Sequence, residues 1–94
     1  MIKVSVLYPA GDDVTFDVDY YRQTHFADIV ARTIKPARWD VEIGVDGPYT
    51  AIGNLYFDSL EAMEASMANG EEALADLPNF TNATPTMQVS RLVD

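Results

Sequence analysis

Tyr49-Thr50-Ala51-Ile52-Gly53-Asn54-Leu55-Tyr56-Phe57, followed at once by Asp58-Ser59-Leu60-Glu61, is the stretch on which the fold turns. The first nine residues are hydrophobic almost throughout. A strand with apolar side chains on both faces belongs in the middle of a sheet, so this one reads as central. Asp58 with Glu61 after it forms a capping-box pattern, and Leu60, Met63 and Met67 then recur on one helical stripe. A central strand that runs straight into a helix is half of an α+β unit. Upstream, Trp39 to Val45 alternates apolar and acidic residues and ends at the turn Asp46-Gly47-Pro48, which makes it the hairpin partner.

Working outward, Ile2 to Tyr8 is rich in β-branched residues and stops at Pro9, a first strand with Ile2, Val4, Val6 and Tyr8 on one face. Asp17 suits an N-cap, with Phe16 and Tyr21 placed as a hydrophobic staple. The helix that follows carries Val18, Tyr21, His25, Ile29 and Arg32 on one stripe, flanked by Phe26, Val30 and Thr33, and closes near Ile34, before Lys35-Pro36. After the second helix, Asn69-Gly70 bends the chain, Glu71 to Leu77 resumes helical spacing, and Thr86 to Val93 is a last strand. The order βαββαβ over 94 residues is that of one ferredoxin-like domain, residues 1–94, with a four-stranded antiparallel sheet and two helices on one face. Ile52, Tyr56 and the alternates of strands 1 and 2 then leave an apolar sheet surface with nothing to cover it. The expected cover is a second copy, a homodimer meeting face to face.

Charge and inventory exclude much. Residues 1–38 balance Lys3, Arg22, Arg32, Lys35 and Arg38 against five aspartates, whereas residues 39–90 contain no Lys or Arg at all, so the net charge of −9 sits on the second half. Nucleic acid and anionic membrane surfaces are therefore poor partners. The chain lacks cysteine and has one histidine, which removes disulfides, thiolate chemistry and any two-histidine metal site. No Gly-rich phosphate loop or hydrolase motif is present, no metal or other cofactor is called for, and the start at Met1 lacks a signal-peptide pattern. A soluble, cytoplasmic domain is expected.

His25 is the side chain whose ordinary pKa of about 6.5 suits proton transfer near neutrality. Its place on the buried stripe between Tyr21 and Ile29 allows two readings, a catalytic acid/base or a packed histidine bonded to a carbonyl. Asp28 stands within reach to orient it. Tyr21 and Tyr8 are candidate phenols to polarise an oxygen; Ile29, Met63 and Met67 are either core or the lining of a pocket for a small apolar or aromatic ligand, and Trp39 either packs at the edge of the second strand or the dimer interface or walls that pocket. Arg22 and Arg32 read as solvated or as carboxylate binders, and Asn82 as a turn cap.

The blocks Met1 to Pro9, Phe16-Asp17-Val18-Asp19-Tyr20-Tyr21-Arg22-Gln23-Thr24-His25, Gly53 to Ala62, and Asp76-Leu77-Pro78-Asn79-Phe80-Thr81-Asn82 together resemble the EthD family, in order and nearly end to end. The resemblance implies a dimeric α+β barrel, in which two ferredoxin-like sheets pack together. It also implies a role beside oxidative enzymes in degrading small organic compounds, with cofactor-independent monooxygenases and isomerases among the wider relatives. His25 matches the family's helix-1 histidine, while Asn54 stands where relatives often carry histidine.

Overall fold

A computed structural model describes residues 1–93. Strand β1 (Ile2–Pro9) leads through a loop to helix α1, which spans residues 18–33. Strands β2 (Arg38–Ile43) and β3 (Tyr49–Phe57) form the hairpin. Helices α2 (Leu60–Met67) and α3 (Glu71–Ala75) and a 3₁₀ turn (Leu77–Asn79) then precede β4 (Thr86–Arg91). The sheet is antiparallel in the order β2-β3-β1-β4, so β3 is central and β4 is an edge, the ferredoxin-like arrangement expected from the pattern. The second helical segment breaks around Asn69-Gly70, as the sequence indicates. Among the described residues no helix is long and apolar enough to cross a membrane.

Register decides which side chains meet the helices. Val4 lies opposite Leu55 and Val6 opposite Gly53, while Trp39 and Val41 pair with Leu55 and Gly53 from the other side. These residues, with Tyr8, Ala51 and Phe57, pack on α1 in one core. The opposite face departs from expectation. It carries Leu7 and Ile52, but also Lys3, Ser5, Asn54, Arg38, Asp40 and Glu42, because the period-2 alternation that buries Trp39 and Val41 turns the charged alternates of β2 outward. They form a bonded network: Asn54 Nδ2 donates to Asp40 and Glu42, both at 2.7 Å, Ser5 donates to Asn54 Oδ1, and the Arg38 guanidinium lies 3.7 Å over the Tyr56 ring. The apolar surface on which the dimer expectation rested is thus a largely polar one.

Helix α1 begins as read, with the Asp17 carboxylate accepting from the Tyr20 N–H at 3.0 Å and the Phe16 and Tyr21 rings 4.9 Å apart. From Tyr21 to Val30 it is a π-helix rather than an α-helix. Tyr21, His25 and Ile29 of the expected stripe are buried together with the flanking Phe26 and Val30, whereas Val18 and Arg32 at its two ends are exposed. Lys35, at φ 56°, closes the helix in the left-handed region, its N–H bonded to the Val30 carbonyl. Helix α2 is capped by Ser59, not Asp58: Ser59 Oγ accepts from the Ala62 N–H at 3.1 Å. Ser59→Ala is expected to cost about 1 kcal/mol in a denaturant melt, and Asp58→Ala much less.

Candidate functional site

Building outward from His25, the π-helical turn carries the ring under the 3₁₀ turn that follows α3. There Asp76, 6% exposed, meets His25, 5% exposed, with Nδ1 and Oδ2 2.9 Å apart. The other Asp76 oxygen accepts from Tyr20 Oη at 2.6 Å and from Asn79 Nδ2 at 2.9 Å. Burial raises the Asp76 pKa, but the bonds from Tyr20, Asn79 and His25 outweigh it and hold the carboxyl below its ordinary range. An ionised carboxylate only accepts, so Nδ1 must carry the proton and Nε2 is left with its lone pair. Burial also pulls the His25 pKa below its ordinary value, against an opposing pull from Asp76, so the ring is neutral at pH 7.

That shift has a sign for stability. The unfolded chain takes up the imidazole proton at higher pH than the folded chain, so stability climbs with pH from the folded pKa up to about 6.5 and is level above. Asp76, depressed instead, loses its contribution only as pH falls below the ordinary carboxylate range. Urea unfolding should therefore show a lower midpoint at pH 5.5 than at pH 7.5, and His25→Gln should remove most of that difference.

Nε2 has no protein partner among the described residues. Among the described residues the one fully enclosed side-chain polar atom without a partner is Tyr21 Oη, so Nε2 is not sealed off. His25 lines a half-open apolar cleft of ≈ 110 Å³, walled by Val6 of β1, Val30 and Ile34 of α1, Met67, Gly70, Ala73, Leu74 and Leu77 from the α2–α3 region, and Pro85 and Met87 beside the β4 edge. A larger depression between Thr15 and Asn82 is shallow and more polar than apolar, and another, beneath the hairpin turn at residues 43–48, is lined by no histidine. Among the described residues no group of three or more His, Asp or Glu side chains is disposed to hold a metal ion.

Of the residues singled out in the sequence, His25 and Met67 reach this cleft. Tyr21 stacks flat on the imidazole, ring centroids 5.4 Å apart at 16°, and its hydroxyl points over Gly53 instead. Tyr8 meets Tyr21 edge-on and is likewise enclosed. The two phenols lie close enough to perturb each other but not in hydrogen-bond geometry. Burial pushes Tyr8 up to about 12 and Tyr21 further, so both stay protonated. Ile29 and Met63 are packing residues of the core, and Trp39 stacks on Phe26 at 5.1 Å. Asp28 does not orient His25. It faces outward and pairs with Arg32, which also grips Glu72 through two nitrogens. Asn82 does hold turns together, accepting from the Thr15 N–H and donating to the Asp13 carbonyl. Asp76 was missed because it is distant in sequence from His25. Its block, Asp76 to Asn79, places a carboxylate and an amide just where a helix stops before Pro78.

Asn54 lies on the open sheet face, across the sheet from the cleft, and so supplies nothing to His25.

No family model and no curated protein matches the chain. Solved structures do. An EthD-like protein from Ralstonia eutropha is 33% identical over 99% of this chain and 92% of its own, with a TM-score of 0.89. An ethyl tert-butyl ether D (EthD) family protein from Bacillus halodurans is 20% identical, covers 99% of both chains and has a TM-score of 0.66. An antibiotic biosynthesis monooxygenase, 11% identical with a TM-score of 0.62 over the whole of both chains, shares the fold. With a third of its residues and nearly its full length in common with the first of these, the chain belongs to the EthD family.

Proposed function

We propose that the chain binds a small apolar or aromatic molecule in the cleft beside α1 and that His25 acts on it as the acid/base. The setting would be the oxidative breakdown of oxygenated organic compounds. The observation that carries this reading is an unpartnered imidazole nitrogen, kept neutral by burial and oriented by Asp76, on the wall of an otherwise apolar cleft. The ether in one relative's name and the monooxygenase in another's support the oxidative setting. In this reading Met67 contacts the ligand, Tyr21 backs the imidazole, and Tyr8, Ile29, Met63 and Trp39 hold the frame. A second copy lies on the open sheet face over Leu7 and Ile52, which sedimentation would report as a mass of twice the chain.

His25 is the sole histidine, so its ring resonances can be followed through a pH titration with phenol, anisole and benzaldehyde as probes. An inflection below 6.5 that moves on adding a probe is the expected result. An inflection blind to every probe would leave a non-catalytic dimeric module as the better reading.

A further inference from the structure

Resting on that reading, we infer that the ligand is an unbranched aliphatic alcohol, its hydroxyl donating to His25 Nε2 and its chain running out of the cleft along β4. The head group follows from the imidazole. The Asp76 carboxylate, which also accepts from Tyr20 and Asn79, takes the Nδ1 proton, so Nε2 offers only a lone pair. Once a ligand fills the cleft, that acceptor is cut off from water, and leaving it without a donor is costly. The ligand must therefore present an O–H or N–H. His25 is the sole polar side chain in the lining, and a charged head group would lose its hydration there. A neutral hydroxyl is the simplest group that meets both demands. Gly70 on the rim starts α3 without a side-chain cap, and a backbone N–H there would serve a hydroxyl and an ether oxygen alike. The choice between them rests with Nε2, which an ether leaves unpaired.

The tail follows from where the helical layer ends. At ≈ 110 Å³ the cleft is smaller than the roughly 150 Å³ apolar cavity that holds benzene, which favours a chain over a ring. Met87 stands on its wall, and Val89 follows two residues on, along the same side of β4. Their partners on β1 are Val6 and Val4. Val4 is fully buried in the core, yet Val89 beside it is half exposed, as is Met87. The helices thus cover β1 and leave β4 bare. From Met87 to Val89 the apolar strip continues the cleft for about 7 Å, the length of several methylenes. The thioethers of Met67 and Met87 can adapt to a flexible chain at its mouth.

The test follows the His25 ring resonances during titration with 1-butanol, 1-hexanol and 1-octanol, and with methyl pentyl ether, the isomer of 1-hexanol that has no donor. At pH 7.5 affinity should rise roughly fourfold per added methylene. There 1-hexanol should bind about tenfold more tightly than the ether. Below the His25 inflection Nε2 itself carries a proton, and that preference should vanish. Val89 lies half exposed on an edge strand, so Val89→Glu should fold and bind 1-butanol as before, while the rise ends at the longer chains. Equal binding of the ether and 1-hexanol at pH 7.5 overturns the inference at its head group. A rise untouched in folded Val89→Glu overturns it at the tail, as does a dimer that this variant splits without affecting the alcohols. Each of these leaves the ligand-binding reading intact. No response to any compound, phenol included, removes that reading and the inference with it.

Discussion

Replacing Gly53 with alanine lowers stability by about 3 kcal/mol, at the upper end of what overpacking costs. The new Cβ would collide with Tyr21 Oη and stand 2.8 Å from two carbons of the Phe26 ring. None of these can yield cheaply. Tyr21 is fully buried, Phe26 is 1% exposed and stacked on Trp39, and Gly53 itself is paired with Val6 on one side and Val41 on the other. Tyr21→Phe works in the opposite direction. Its hydroxyl is enclosed without a partner, and an unsatisfied buried hydroxyl costs about 1–3 kcal/mol, so the variant should be more stable than the parent. In the double variant the worst contact is gone while the Phe26 contact remains, and stability should recover in part. Urea midpoints of the four chains measure all of this. Equal loss in Gly53→Ala with and without the Tyr21 hydroxyl would place the cost elsewhere.

Asp76→Asn keeps the size of the side chain and removes its charge. Because Asp76 holds the His25 pKa up against burial, the His25 inflection should move to still lower pH in the variant. Turnover of any accepted substrate should fall roughly 10²-fold, the lower end of what general acid–base catalysis contributes. Two causes add: the imidazolium loses its counter-charge, and an amide can present its NH₂ group to Nδ1 and so favour the wrong tautomer. Asp76 touches no ligand in this geometry and is a positioning residue. If its part were only to fill space, the isosteric amide would leave the titration of His25 where it was.

Much of this was legible in the residues, and the reasons divide by range. The Asp17 cap, the Phe16–Tyr21 staple, the stop at Lys35-Pro36 and the central place of Tyr49–Phe57 are local or period-2 signals, which the sequence carries openly. His25 stood out by its chemistry and its neighbours on the stripe. What failed to show depended on long-range pairing. Asp76 lies 51 residues from His25, and only the packing of the 3₁₀ turn on α1 joins them. The polarity of the open sheet face follows from Trp39 and Val41, not Asp40 and Glu42, facing the helix. The alternation of β2 was visible, but not its consequence for the neighbouring strands. Nothing local to the strand marks Gly53 as a close approach; only the packing of Tyr21 and Phe26 over it does.

The wide turns of α1 bear on how related chains should be compared. An i→i+5 ladder from Tyr21 to Val30 holds more chain per turn than an α-helix does. A relative that lacks one residue at an exposed position such as Ala27 would close the ladder to i→i+4 yet keep both ends of the helix anchored. Its histidine would still be found by counting forward from the cap at Asp17. Its equivalents of Val30 and Ile34 would be found only by counting back from Pro36. An alignment of such chains therefore belongs with its gap inside the helix, just beyond the histidine, and one that pushes the gap out to a loop would pair core residues with solvent.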